Sequence, residues 1–150
     1  MIFLFEKSIA TLHIKCYHIK AFRIRDFFTA KGCTNMKLDQ VMEVLNAQIY
    51  TDAPFENIEI HAACGADLMS DALAFGENKG LLLTGLNNPQ CVRTAEMMDI
   101  HCVMLVRGKE PDSSLVELAN EKEIVVMKTD YSMFTACGLL YQADLPGGDV

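Results

Sequence analysis

The sequence predicts an α/β domain with three layers: a mostly parallel sheet of about four or five strands, with helices on both faces. Three observations point there. Continuous apolar runs recur at Gly80–Thr84, Cys102–Val106 and Ile124–Met127, each the length of a strand buried on both faces. Between them, apolar residues return every three to four positions, which is the helical period. The two signals alternate every 20–25 residues or so, about the length of a βαβ crossover.

The elements follow in order. Asp39 reads as the N-cap of a short helix carrying Val41, Met42, Val44 and Leu45, with Asn46 ending it. Gln48-Ile49-Tyr50 reads as a short strand, and Asp52-Ala53-Pro54 as a turn. Ile58-Glu59-Ile60-His61-Ala62 alternates as one strand. Gly65-Ala66-Asp67 is expected to open a helix through Leu68, Met69, Ala72 and Leu73. After the run ending at Thr84-Gly85, Asn88-Pro89 opens the next helix with proline at its first position. Pro111-Asp112-Ser113 starts a helix carrying Leu115, Val116, Leu118 and Ala119. Asp130 is expected to cap the last helix, through Met133, Phe134, Cys137, Leu139, Leu140 and Tyr141, before a tail at Leu145-Pro146-Gly147-Gly148.

The length of 150 residues suits one domain, and 51% hydrophobic residues are enough to build its core. No apolar run approaches the ~18 residues of a membrane span. The net charge of −7 argues against nucleic acid as a partner, because gripping phosphates needs a basic face. Charge divides the chain: residues 1–35 hold six basic and two acidic side chains, residues 36–150 seven basic and eighteen acidic. A boundary is therefore expected near Met36, with a basic leading segment at 1–35 that need not belong to the natural domain and a single domain at 36–150. The six cysteines contain no CxxC and no two closer than eleven positions, which points to reduced thiols in the cytoplasm. His61 and Cys64, or His101 and Cys102, do not converge as metal ligands must, so neither a metal nor a cofactor is expected.

Ligands of parallel sheets bind beyond the carboxyl ends of the strands. That rule selects Cys64-Gly65-Ala66-Asp67, Thr84-Gly85-Leu86-Asn87-Asn88, Arg107-Gly108-Lys109 and Lys128-Thr129-Asp130. Each sits next to an expected helix N-terminus, whose open N–H groups favour an anion. The binding candidates are Asp67, Thr84, Gly85, Asn87 and Gly108, with Arg107 and Lys109 placed to add contacts. The P-loop, the dinucleotide GxGxxG and the nucleophile elbow are all missing. Two catalytic alternatives remain: Cys64 as a thiolate at a helix start, and Asp67 with Asp71 on one helix face.

These ordered segments resemble a DRTGG domain over about residues 36–142. Met36-Lys37-Leu38 and the helix to Asn46-Ala47 are similar to that family's start, as is Gly65-Ala66-Asp67-Leu68-Met69-Ser70-Asp71-Ala72-Leu73-Ala74 after a strand. Gly80-Leu81-Leu82-Leu83-Thr84-Gly85 resembles its buried strand, and the run from Thr129 to Leu140 its last helix. The literal DRTGG string is absent, with Thr84-Gly85 as its nearest counterpart. The resemblance implies a compact α/β regulatory domain. Such domains occur beside CBS pairs, in phosphate acetyltransferases and in relatives of the amino-terminal part of HPr kinase, and stand-alone copies accompany iron-hydrogenase gene sets. The expectation is a non-enzymatic sensor of a small anionic, nucleotide-like ligand, acting as a homodimer. The alternatives are a protein-interaction adaptor for a redox or hydrogenase-type enzyme, and a small enzyme built on Cys64 or the Asp67/Asp71 pair.

Overall fold

Leu81, Leu82 and Leu83 are all fully buried, as consecutive residues can be only where a strand is covered on both faces. They lie mid-sheet in the computed structural model, which describes residues 35–75 and 80–147. The expectation for the basic leading segment falls outside the described residues. In chain order the elements are β1 (Met36–Lys37), α1 (Leu38–Leu45), β2 (Gln48–Ile49), β3 (Glu59–Ile60), β4 (Ala62–Gly65), α2 (Met69–Phe75), β5 (Gly80–Thr84), α3 (Pro89–Met97), β6 (Cys102–Leu105), α4 (Ser113–Glu121), β7 (Val125–Lys128) and α5 (Met133–Gln142).

The main sheet has five strands in the order β2-β7-β6-β5-β4. β4 to β7 run parallel, and β2 adds an antiparallel edge beside β7. β1 and β3 form a separate two-stranded ladder pairing Met36 with Ile60. Because β4, β5, β6 and β7 are laid side by side in chain order, right-handed crossovers put α2, α3 and α4 on one face. There Met69, Ala72, Cys91, Val92, Ala95, Leu115 and Ala119 cover Leu82, Val103, Leu105 and Val126. On the other face Leu38, Val41 and Leu45 of α1 and Ala136 and Leu140 of α5 cover Leu81, Leu83, Met104, Val125 and Met127. The strict alternation of side chains along a strand divides each apolar run between the two cores. The expected three-layer fold is the one observed.

Local expectations differ in four places. The strand expected over Ile58–Ala62 splits at His61, so that Ile60 joins the small ladder and Ala62 begins β4. Gly80 sits against that break at φ +79, where an added Cβ would lie 3.3 Å from Ile60 Cα. The helix expected from Gly65 begins instead at Met69. Gly65 is held in the sheet opposite Leu83, and Ala66 N–H continues the ladder to the Leu83 carbonyl at 3.0 Å. Lys37, not Asp39, is the N-cap of α1; the Gln40 side chain accepts its N–H, and Asn46 ends the helix in the left-handed region at φ 47. Ser132, not Asp130, caps α5 by accepting Thr135 N–H. α3 begins as expected, with Asn88 as cap and Pro89 at the first position.

Past α5, Leu145 is buried and the Pro146 carbonyl accepts Ala63 N–H at 3.0 Å, covering part of the β4 edge. No disulfide joins the cysteines of the described residues, which include no cluster of three metal-ligating side chains and no helix long and apolar enough to cross a membrane.

Candidate functional site

The connections after β4, β5, β6 and β7 meet at one edge of the sheet. The loop after β6 leads to α4 on one face, and the loop after β7 leads to α5 on the other. A crevice for ligands is expected where neighbouring connections part in this way. Here it is stitched shut. Arg107 N–H donates to the Tyr131 carbonyl at 2.8 Å and Gly108 N–H to the Thr129 carbonyl at 2.9 Å. Arg107 and Gly108 both hold positive φ, at 68° and 64°. A Cβ on Gly108 would fall 2.9 Å from Asp130 Oδ1, so glycine meets both a backbone and a space requirement. Gly108 thus faces Asp130, not the other candidates.

The chemistry collects one strand further along. Gly85 N–H donates to Asp67 Oδ1 at 2.6 Å, and Arg107 Nη2 donates to Asp67 Oδ2 at 2.9 Å. Lys109 Nζ donates to the Gly85 carbonyl. One carboxylate therefore sits among a backbone N–H, a guanidinium and an ammonium. Its carboxyl is held below the usual carboxylate range, first by the Gly85 N–H and then by Arg107 and Lys109, against a contrary push from burial. A Cβ at 85 would stand 2.7 Å from Arg107 Nη1, so the guanidinium would have to shift from its place beside Asp67.

Two candidates are absorbed by the turns themselves. Thr84 is fully buried, and its Oγ1 accepts Leu86 N–H at 3.1 Å. Asn87 staples the β6–α4 loop: its Nδ2 donates to the Glu110 carbonyl at 2.7 Å, and its Oδ1 accepts Asp112 N–H at 3.0 Å. The helix N-termini are likewise satisfied from within, by Asn88, Asp112 and Ser132. The donors gathered at this edge are therefore Gly85 N–H, Arg107 and Lys109.

Both catalytic alternatives lose their geometric basis. Cys64 lies inside β4, several residues before α2, so no helix start activates its thiol. Asp67 precedes α2 and Asp71 lies within it, so the two do not share a helix face, and Asp67 is engaged by Gly85 and Arg107.

A second polar cluster joins Tyr50, Glu110 and Lys128. Tyr50 Oη donates to Glu110 Oε2 at 2.5 Å, Lys128 pairs with the same carboxylate, and the Lys128 ammonium lies 5.9 Å from the Tyr50 ring centre. The bond to Glu110 raises the Tyr50 hydroxyl, and Lys128 lowers the Glu110 carboxyl. Lys128 falls at a strand end, in a segment that the strand-end rule selects. Tyr50 and Glu110 are 60 residues apart and carry no local signal of their meeting.

The DRTGG domain model matches residues 40–143, more than half of the chain. The chain belongs to the DRTGG-domain family. It is similar in structure to the CBS and DRTGG domains of the regulatory region of Clostridium perfringens pyrophosphatase, complexed with its activator diadenosine tetraphosphate. The TM-score is 0.61 at 20% identity, over 73% of this chain and 47% of that one. This DRTGG domain thus spans about half of that neighbour and shares its fold. No curated protein matches it.

Proposed function

We propose that this DRTGG domain is a regulatory sensor, without catalysis, that binds a small anionic, nucleotide-like ligand at the carboxyl edge of its sheet. One observation carries the reading: Gly85 N–H and the Arg107 guanidinium already converge on the two oxygens of one carboxylate, with Lys109 beside them. A phosphate group needs the same donors. Asp67 stands where ligand oxygens would, and an incoming phosphate competes with it. The neighbouring pyrophosphatase region, a regulatory unit holding a dinucleotide, supports the ligand class. The spread of six cysteines without a close pair supports work in the reducing cytoplasm.

The test is a thermal-shift screen of the full chain against nucleotides and phosphorylated metabolites. A ligand that binds only the native state adds about 2.7 kcal/mol at a hundredfold excess over its Kd. The expected result is a dose-dependent rise for one nucleotide class, lost in Arg107→Ala and in Lys109→Ala. A flat screen on folded protein overturns the reading, as does a shift that both variants preserve.

A further inference from the structure

Two carboxylates at the carboxyl edge of the sheet are each held through both oxygens. Asp67 takes Gly85 N–H on Oδ1 and the Arg107 guanidinium on Oδ2. Glu110 takes the Tyr50 hydroxyl on Oε2 and the Lys128 ammonium on Oε1. The two clusters are neighbours. Lys109 and Glu110 are adjacent in the loop after β6, and their side chains reach apart. Lys109 goes to the Gly85 carbonyl beyond β5, and Glu110 to Lys128 at the end of β7. Thr84, Leu105 and Lys128 are in register across β5, β6 and β7. With strands ~4.8 Å apart, the two sets of donors are rooted at strand ends roughly 10 Å from each other. Exposure separates the members of the second cluster. The Lys128 side chain is 13% exposed and that of Glu110 67%. The lysine is packed in place beside the Tyr50 ring. The glutamate can swing into water at small cost, since exposed ion pairs are worth little.

We infer that the site takes a chain of linked phosphate groups, one displacing Asp67 and another displacing Glu110, with Lys128 and Tyr50 as further binding residues. This rests on the anion site proposed above and extends it from one phosphate to two or more. The reason is chemical likeness. A phosphate accepts from the same paired donors as a carboxylate. Two filled carboxylate seats on one edge therefore mark two phosphate seats. A single phosphate cannot bridge donors rooted this far apart, whereas a short phosphate chain met by side chains from both ends can. Lys109 lies between the seats and spends its ammonium on a carbonyl, so a third cation is placed to serve the linking groups. Asn87 fixes the loop that carries these residues, through the Glu110 carbonyl and Asp112 N–H. Asp112, the remaining acidic residue of that loop, is engaged by Ser114 as the cap of α4.

The test is calorimetric titration of the full chain with orthophosphate, pyrophosphate and tripolyphosphate. Affinity should rise by about tenfold or more from orthophosphate to tripolyphosphate. Lys128→Ala should cut that ratio by about tenfold, with an unchanged far-UV spectrum. Glu110→Gln should raise the ratio, because the competing group loses its charge. Glu117→Gln makes the same change of charge on α4 and should leave the ratio alone. The glutamine variant at 110 decides the matter if Lys128→Ala fails to fold. Adenosine monophosphate and triphosphate form a second arm. The same gain there places the chain on a nucleotide, and a gain confined to the inorganic series assigns free polyphosphate; either supports the inference. If Lys128 and Glu110 only fasten the loop, their variants shift all three affinities equally, and that result overturns the inference. So does a wild type that binds the three anions alike while Arg107→Ala still abolishes binding, which leaves the anion site standing. If no phosphate of any length binds, the anion site is refuted and this inference with it.

Discussion

Replacing Asp67 with alanine should lower stability and raise anion affinity together. Asp67 makes two interactions. The bond from Gly85 N–H at 2.6 Å is charge-assisted, a type worth about 1.5–3 kcal/mol when shielded from water. The pair with Arg107 at 2.9 Å has both side chains 48% exposed, so screening leaves it roughly 0.2–1 kcal/mol. The same exposure lets water replace part of the first bond, and the combined loss comes to about 1–2 kcal/mol. In a domain of this size that lowers Tm by roughly 3–10 °C. The deletion also removes the carboxylate with which a phosphate must compete. Affinity for inorganic pyrophosphate should then rise about tenfold, the equivalent of ~1.4 kcal/mol. The assay is thermal unfolding of wild type, Asp67→Ala and Asp67→Asn over a pyrophosphate series. The alanine variant should start lower and climb more steeply, with asparagine between, since it keeps an acceptor for Gly85 but loses the charge. Acid separates them as well. The Asp67 carboxyl titrates below its ordinary 3.8 in the folded state, so its contribution is full above that value and is lost as pH falls through the lowered one. Wild type should therefore shed more stability than Asp67→Ala on acidification. A variant with unchanged Tm, or with a weaker pyrophosphate response than wild type, would refute the reasoning.

Leu83→Ala removes a fully buried side chain between β5 and the core under α5, and should cost about 2–5 kcal/mol. Urea unfolding checks this as a lower midpoint at unchanged slope. Glu110→Gln withdraws the carboxylate that raises Tyr50, whose hydroxyl should titrate closer to 10.0 in an ultraviolet pH series; an unmoved tyrosine titration counts against the cluster. Burial pushes the Cys102 thiol up to about 12 and the Cys91 thiol up to about 11. Alkylation mapped by mass spectrometry near neutral pH should therefore reach half-buried Cys137 well before either, and equal rates at all three would contradict the packing.

The sheet was legible because a strand covered on both faces leaves a short apolar run, and here such runs alternate with helical periods and end at glycine or turn residues. Leu81–Leu83 and Val103–Leu105 are such runs, and Asp67 and Gly85, both in segments taken from strand ends, meet at one edge of the sheet. The β4 region was not legible. Ala62–Gly65 enters the sheet through its register with Gly80–Leu83, a pairing that local composition does not encode, and glycine before an aspartate imitates a helix start. Turn chemistry was legible as a class of residue but not as a role. Thr84 and Asn87 lie in the expected loops, yet both spend their polar atoms holding those loops together.

Arg107 belongs to two neighbourhoods at once. Its guanidinium holds Asp67 at the carboxyl edge of the sheet, and its backbone N–H holds the carbonyl of Tyr131, one residue before the cap of α5. Its left-handed φ of 68° lies in a small allowed well that confines the backbone. The residue thus ties the loop after β6 both to the turn after β4 and to the segment that leads into α5. One residue therefore joins three of the four connections at this edge, and Arg107→Ala removes the link to Asp67 while the backbone link to Tyr131 stays.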